Sequence, residues 1–361
     1  MILNYYIMDE HFYLWAQWGI VDYKQHQAVL RHFGDLKTAW QKIDAEFLAR
    51  LGFRADKVTR IMECREKMDF GDLSNQMDKL GIRIIGINDP EYPMPLKDIP
   101  NPPPFLFIRG KWPSFHKAIG IVGTRTMTDY GKMATEKIAR GLVHNGFVVV
   151  SGLAMGVDAQ AHETTLDQDG VTVGVLGCGV DRPYPLENFA LAERIIESGG
   201  AIVSEYPLGT PAMPHHFPER NRIISGLSRG IVVIEGGIKS GALITARYAL
   251  EHGREVFAVP TDIIRHALSG TNHLIRKGEA KLIERVEDIL SEFRLEPTAN
   301  PKTLAFTSLE AQILEYLMTE GKTIDDLVLE TTYNVAKLSE ILIGLQLKGV
   351  VREIGGKWMM L

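Results

Sequence analysis

The sequence predicts an α/β protein: a doubly wound parallel sheet core, with an N-terminal helical module and a C-terminal winged helix. Three observations predict it. Between residues 115 and about 290, six short apolar runs alternate with helical patterns, as expected of strands buried on both faces and joined by crossover helices. Residues 1 to about 78 repeat apolar positions at three- and four-residue spacing, as in Phe12, Leu14, Trp15 and Trp18, which is a helical period. The last stretch reads as three helices followed by a hairpin.

Composition narrows the function classes. The chain has 361 residues, 45% apolar and 24% charged, an ordinary globular composition with room for two or three domains. No apolar run approaches the ~18 residues of a membrane span. The first twenty residues lack a basic start and contain Asp9 and Glu10, which argues against a secretory signal. Two cysteines, Cys64 and Cys178, exclude a disulfide scaffold and a Cys-rich zinc site. A reducing, cytoplasmic setting is expected. Net charge is −5, from 40 basic and 45 acidic residues. The protein is therefore no basic coat for nucleic acid, and any anion site must be local.

The expected divisions are a helical module over 1–78, a core over 79–291, a linker over 292–304 and a winged helix over 305–361. In the first module, Gly19, Gly34 and Gly52 punctuate short helices, and residues 45–59 read as helix, turn, helix. Such pairs serve packing as readily as contact with nucleic acid. Residues 82–87 and 105–109 are strand-like. Between them, seven prolines from Pro90 to Pro104 predict an extended connector rather than a helix.

The core strands are expected at 118–122, 147–150, 171–176, 201–203, 231–235 and 256–259. Helices are expected at 130–144, 157–167, 187–198, 219–228 and 243–252. In the last domain Leu309, Ile313, Leu314 and Leu317 share one helix face, and Thr323 is placed to cap the next helix. A third helix over 335–347 ends at Gly349, and a hairpin turns at Gly355-Gly356.

Ligands of open parallel sheets bind beyond the carboxyl ends of the strands. Here those ends carry glycine loops: Gly123-Thr124-Arg125, Ser151-Gly152 onward to Asp158, Gly177-Cys178-Gly179, and Gly236-Gly237-Ile238-Lys239-Ser240-Gly241. Glycine lets backbone N–H groups approach an anion, and each following helix start adds a positive dipole. Four such loops on one edge point to phosphate. Arg182 stands where the third glycine of a dinucleotide fingerprint belongs, and Lys239-Ser240 lacks the glycine of a P-loop. Both of those nucleotide sites are disfavoured.

The segment from Phe217 to Ser228 places Arg220 and Arg222 around Asn221. Arginine forks suit phosphate oxygens, and Phe217 offers a stacking face for an unpaired base. The opposing reading makes Phe217 a core residue and pairs the arginines with Glu205 or Glu219. Asp158 and His162 have ligand-like spacing, but no third ligand accompanies them, so a capping Asp and a structural His are expected, with no metal. His215-His216 reads as polar surface and Cys178 as a small buried residue. No motif names a catalytic residue or a cofactor.

The strings VGTR (122–125), SGLAMGVDAQAH (151–162), GCGVDRPYPLEN (177–188), SEYPLG (204–209), FPERNRIISGLS (217–228), EGGIKSGALITARYALEHGREVFAVP (235–260) and NHLIRKGEAKLI (272–283) resemble the DNA-processing protein A (DprA/Smf) family. The resemblance covers roughly residues 80 to 290, with the motifs in family order. It implies a Rossmann-like core that binds single-stranded DNA, loading of the RecA recombinase, a role in natural transformation, and a homodimer. It also implies a SAM-like N-terminal module.

By resemblance, Arg125 contacts phosphate, Gly123 and Thr124 shape its loop, and Ser151 and Gly152 donate from the backbone. Phe217, Arg220, Asn221 and Arg222 line the strand path. Lys239, Ser240 and Gly241 close the pocket, and Thr245 adds a polar group. His273, Leu274 and Leu282 are the expected dimer surface. The family usually continues VFAVP with glycine, whereas this chain has Thr261-Asp262.

The balance of charge sharpens this. The core from Phe115 to Leu290 has 18 basic and 20 acidic residues, so binding has to come from a focused patch with few phosphate contacts. Residues 305–361 have 5 basic and 8 acidic residues. A winged helix that reads duplex DNA usually presents a basic helix, so this one is expected to serve protein interaction or regulation. The rival reading is an enzyme similar to nucleotide phosphoribohydrolases. Their P-G-G-x-G-T-x-x-E motif aligns with Lys239 at a glycine and Leu243 at the glutamate, and leucine transfers no proton. A second rival is a nucleotide-sensing transcription regulator, which the acidic winged helix opposes.

Overall fold

The computed structural model describes residues 10–19, 22–296, 306–318 and 320–360. Two compact units make up the chain, Met1–Pro297 and Thr298–Leu361. Residues 297–304 of the expected linker lie outside the described residues.

The first unit begins with α1 (Glu10–Trp18), α2 (Tyr23–Phe33), α3 (Leu36–Lys42), α4 (Ala45–Arg50), α5 (Ala55–Glu66) and α6 (Phe70–Leu80). Aspartate starts four of them. Asp22, Asp35, Asp44 and Asp69 each accept a backbone N–H three residues on, which satisfies a donor the helix itself leaves open. The expected pair over 45–59 is α4 and the start of α5. Trp15, Trp18 and Trp40 meet edge to face, and the Trp18 indole N–H donates to the Ile61 carbonyl at 3.0 Å.

These helices do not close on themselves. Trp15, Val29 and Leu48 share one apolar cluster with Phe105, Phe107, Ile202 and Leu208 from the sheet side. The Gln17 side chain donates to the Leu208 carbonyl and accepts from the Leu208 N–H, both at 3.0 Å.

The sheet follows: β1 (Ile82–Gly86), β2 (Phe105–Gly110), β3 (Ala118–Val122), β4 (Val148–Ser151), β5 (Thr172–Val175), β6 (Ala201–Ser204), β7 (Gly230–Val233), β8 (Glu255–Ala258) and β9 (Lys281–Leu282). Their order is β1-β2-β6-β5-β4-β3-β7-β8-β9. From β6 to β9 every pairing is parallel. The strand-like runs near residues 85 and 107 add an antiparallel pair at the edge, β1 to β2 and β2 to β6, so the sheet is mixed.

The proline-rich connector contains a helical turn, α7 (Met94–Lys97), where an extended chain is expected. Pro95 sits at the start of that turn, where its missing N–H costs nothing. The remaining helices are α8 (Asp129–His144), α9 (Val157–Asp167), α10 (Phe189–Glu197), α11 (His216–Leu227), α12 (Gly241–Glu251), α13 (Gly270–Arg276) and α14 (Val286–Glu292). Ile138, Ala161 and Ile289 of α8, α9 and α14 pack on one face. Leu96, Ile223 and Ala246 of α7, α11 and α12 pack on the other.

The second unit has α15 (Ser308–Leu317), α16 (Ile324–Glu330), α17 (Val335–Leu347) and an antiparallel hairpin, β10 (Val351–Ile354) and β11 (Lys357–Met360). Thr323 caps α16 by accepting the Asp326 N–H at 3.1 Å. Gly355 and Gly356 turn the hairpin at φ of 59° and 78°, which side chains disfavour. Ile313, Leu327, Leu338, Leu342 and Trp358 form its core. This is a winged helix.

Candidate functional site

Strand order reverses at β3. The chain runs outward through β4, β5 and β6, then returns to place β7 on the other side of β3. Loops leaving β3 and β7 therefore diverge, and a crevice opens at the carboxyl end between them. A cavity of about 690 Å³ occupies that place. Its walls include Gly123, Thr124 and Arg125 after β3, Phe217, Arg220 and Asn221 from α11, and Lys239, Ser240, Gly241 and Thr245 around the start of α12.

Gly123 is required by close approach. A Cβ there would meet Val157 Cγ2 at 2.5 Å, so only glycine lets the loop lie against α9. Arg125 is exposed, with its guanidinium 5.5 Å from the Phe217 ring centroid. Lys239 is exposed as well. Among the described residues neither holds a carboxylate within salt-bridge distance. Two uncommitted cations thus face one opening, beside a half-buried aromatic ring. The start of α12 adds to them: Ser240 caps it by accepting the Ala242 N–H at 3.2 Å, and Asn221 donates to the Gly241 carbonyl at 3.3 Å.

Arg220 forms the floor. It is 4% exposed and donates to the Gly152 carbonyl at 2.7 Å and to the Val175 carbonyl. It thereby joins the ends of β4 and β5. Asp158 is buried near it and accepts the Gly152 N–H at 3.1 Å. Burial pushes the Asp158 carboxyl up to about 6, with the Arg220 charge pulling the other way.

Several expected contributors are placed elsewhere. The Gly152 N–H is held by Asp158, and the Ser151 hydroxyl donates to the Ile121 carbonyl at 2.6 Å. Neither residue is part of the cavity wall. Arg222 turns away from the cavity and forms a two-pronged ion pair with Glu205 at 2.8 and 2.6 Å, so the pairing reading holds for it. The glycines at 177 and 179 serve packing: a Cβ on Gly179 would strike the Pro207 carbonyl at 2.8 Å. The start of α8 is no open anion site either, because Glu235 already accepts from the Thr128 N–H and hydroxyl at 3.0 and 2.8 Å.

Of the expected dimer residues, Leu282 is exposed and His273 is half-buried, but Leu274 is 4% exposed and belongs to the core. Tyr184, which the sequence reading left aside, completes the cavity wall with its ring 5.7 Å from that of Phe217.

His162 and Cys178 are structural. The Thr172 hydroxyl donates to the Val149 carbonyl at 2.8 Å, which leaves it to accept from His162 Nδ1 at 2.7 Å. Burial lowers the His162 pKa to about 3. Burial also pushes the Cys178 thiol up to about 11, which keeps it from acting as a nucleophile. Among the described residues no group of three or more His, Cys, Asp or Glu is arranged to hold a metal. None of their helices is long and apolar enough to cross a membrane.

Fold and site together define a Rossmann-like module with a crevice at its switch point that two exposed cations line, in a chain that also carries a winged helix. The chain belongs to the DNA recombination-mediator protein A family, whose model matches residues 83–294. A DprA winged helix domain matches residues 296–357. It is 44% identical over 214 residues to DNA processing protein DprA of Bacillus subtilis, covering 59% of this chain and 71% of that protein. The first three curated relatives are matched over 66%, 71% and 67% of their length.

The crystal structure of DNA processing protein A from Streptococcus pneumoniae superposes with a TM-score of 0.67 at 34% identity, over 79% of this chain and 98% of that one. DNA processing protein A from Helicobacter pylori, solved for its single-stranded DNA binding mode, superposes with a TM-score of 0.53 at 30% identity, over 59% and 95%.

Proposed function

We propose that this protein is a single-stranded DNA-binding recombination mediator, working as a homodimer in the cytoplasm and loading RecA onto incoming DNA in natural transformation. The observation that carries the binding step is the pairing of uncommitted cations with an aromatic face. Arg125 and Lys239 open on one cavity, which Phe217 also lines, between the diverging loops after β3 and β7. Phosphates sit against Arg125, Lys239 and the Ser240-Gly241 helix start, while a base stacks on Phe217. Gly123 and Thr124 shape the loop, and Arg220, Asn221 and Thr245 support it from below. Arg222 stays with Glu205 and outside the path. Dimer contact falls to the exposed parts of the His273 to Leu282 stretch.

The mediator reading makes no use of catalysis. At the position of the phosphoribohydrolase glutamate stands Leu243, half-buried against the core, and no proton transfer follows from it. The test is fluorescence anisotropy of a labelled single-stranded oligonucleotide with a duplex competitor and a salt series. Tight binding that duplex does not displace supports the proposal. Absence of binding at low salt, or hydrolysis of nucleotides by the purified protein, overturns it.

A further inference from the structure

We propose that the exposed apolar residues Tyr184, Leu186 and Phe189, which lead away in sequence from the cavity wall, receive the bases of nucleotides next to those held by their phosphates, Tyr184 and Phe189 by stacking and Leu186 by apolar contact. This inference rests on the single-strand reading above and adds a base-binding site outside the phosphate cavity.

Tyr184 belongs to both places. It lines the cavity against Phe217, yet it is 45% exposed. Two residues on, the chain enters a 3-10 turn, Leu186–Asn188, that continues directly into α10. Residues three apart eclipse in a 3-10 turn, so Leu186 and Phe189 stand on the same side, roughly 6 Å apart along the axis. They are 77% and 47% exposed. Neither is needed for the core, which uses Leu191, Ala192 and Ile195 of the same helix.

The row is also held in place. Asn188, buried between the exposed Glu187 and Phe189, donates from Nδ2 to the Leu153 carbonyl at 2.8 Å. A fixed apolar row facing water marks a contact site. Tyr184, which lines the cavity two residues before Leu186, selects the occupant. A polymer anchored by phosphate at Arg125 and Lys239 presents its own flat apolar groups next to that anchor, and Phe217 to Tyr184 leads from one to the other. Proteins that hold single strands without reading sequence combine a cationic track with aromatic side chains that stack bases, the parts that Arg125 with Lys239 and Tyr184 with Phe189 supply here.

The test uses the full chain carrying Leu186→Ser and Phe189→Ser together, with thermal unfolding as the check on folding. Two probes are titrated: a deoxythymidine trinucleotide, which fills only the cavity, and an oligonucleotide of about 20 nucleotides, which reaches beyond it. The expected result is about 10-fold weaker binding of the long probe, unchanged binding of the trinucleotide, and an unchanged salt slope because no phosphate contact is lost. Phe189→Trp restores the long-probe affinity.

Long-probe affinity equal to the parent's, while Arg125→Ala still weakens both probes, overturns the row and leaves the cavity standing. If Arg125→Ala changes neither probe, the single-strand reading itself fails. A change of mass in light scattering without a change in strand affinity makes the row a protein contact and overturns the proposal.

Discussion

The guanidinium of Arg125 lies 5.5 Å from the centre of the Phe217 ring, and Arg220 lies 6.0 Å from the same ring. The two arginines differ in what else they hold. Arg125 is exposed and uncommitted, whereas Arg220 is buried and bound to two backbone carbonyls. One ring therefore neighbours both an exposed, uncommitted cation and a cation bound into the fold.

Arg125→Ala is expected to weaken single-strand binding by about 1–3 kcal/mol, the range of a charge-assisted contact that is partly desolvated. Arg125→Lys restores only part of this, because it returns the charge without the fork. Anisotropy titration of both variants measures it, and the unfolding midpoint stays at the parent value.

Arg220→Ala behaves differently. Removing the side chain leaves the Gly152 and Val175 carbonyls without their donor and Asp158 without its neighbouring positive charge. The loss is on the order of 3 kcal/mol of stability. A urea midpoint well below that of the parent is the expected outcome. An unchanged midpoint with lost DNA binding would make Arg220 a ligand residue instead.

Acid is expected to destabilise the first unit. Burial lowers the pKa of His26 to about 4 and of His162 to about 3, against an ordinary value of 6.5. Between those values the unfolded chain binds protons that the folded chain refuses, so stability falls as pH drops below 6.5. At pH ~5 each ring contributes a loss on the order of 2 kcal/mol. Asp158 works in the opposite sense. Its raised pKa of about 6 means the folded state takes up a proton first, so that group adds stability as pH falls from 6 toward 3.8. Two histidines outweigh one aspartate, and urea midpoints at pH ~7 and ~5 will show the fall. His26→Phe reduces it.

Removal of residues 298–361 is expected to leave single-strand affinity unchanged. In the winged helix, Lys337 of α17 pairs with Glu340 at 2.8 Å, and Lys348 with Glu310 at 2.7 Å. Lys322 pairs with Glu330 at 2.8 Å. Lysines so occupied give little field to a phosphate backbone. Anisotropy of the truncated chain tests it, and a large loss would assign DNA contact to the winged helix.

Much of this architecture is legible in the sequence. Short apolar runs such as Ala118–Val122 mark buried strands because both faces are covered, and the structure begins and ends β3 at those residues. What was not readable depends on residues far apart in sequence. The antiparallel docking of β2 against β6 joins Arg109 to Ile202, and no local pattern announces it. Helix α7 hides among prolines because a helix start tolerates the missing N–H.

The cavity was half legible for the same reason. Glycine loops announce an edge, but Arg222 and Arg220 look alike in sequence. Only the fold brings Glu205 to the first and the β4 and β5 carbonyls to the second. Leu274 sits in a run that reads as surface, yet its helix turns it into the core.

The two-way amide bond between Gln17 and Leu208 spans 191 positions. It closes over a core that Trp15 and Phe107 share. During synthesis the chain emerges from its N-terminus, so the first helices stay incomplete until the loop after β6 has left the ribosome. A ribosome stalled before residue 208 would carry a helical segment with its tryptophans still wet. Once the chain is complete, that segment and the sheet are expected to melt together, as one calorimetric peak.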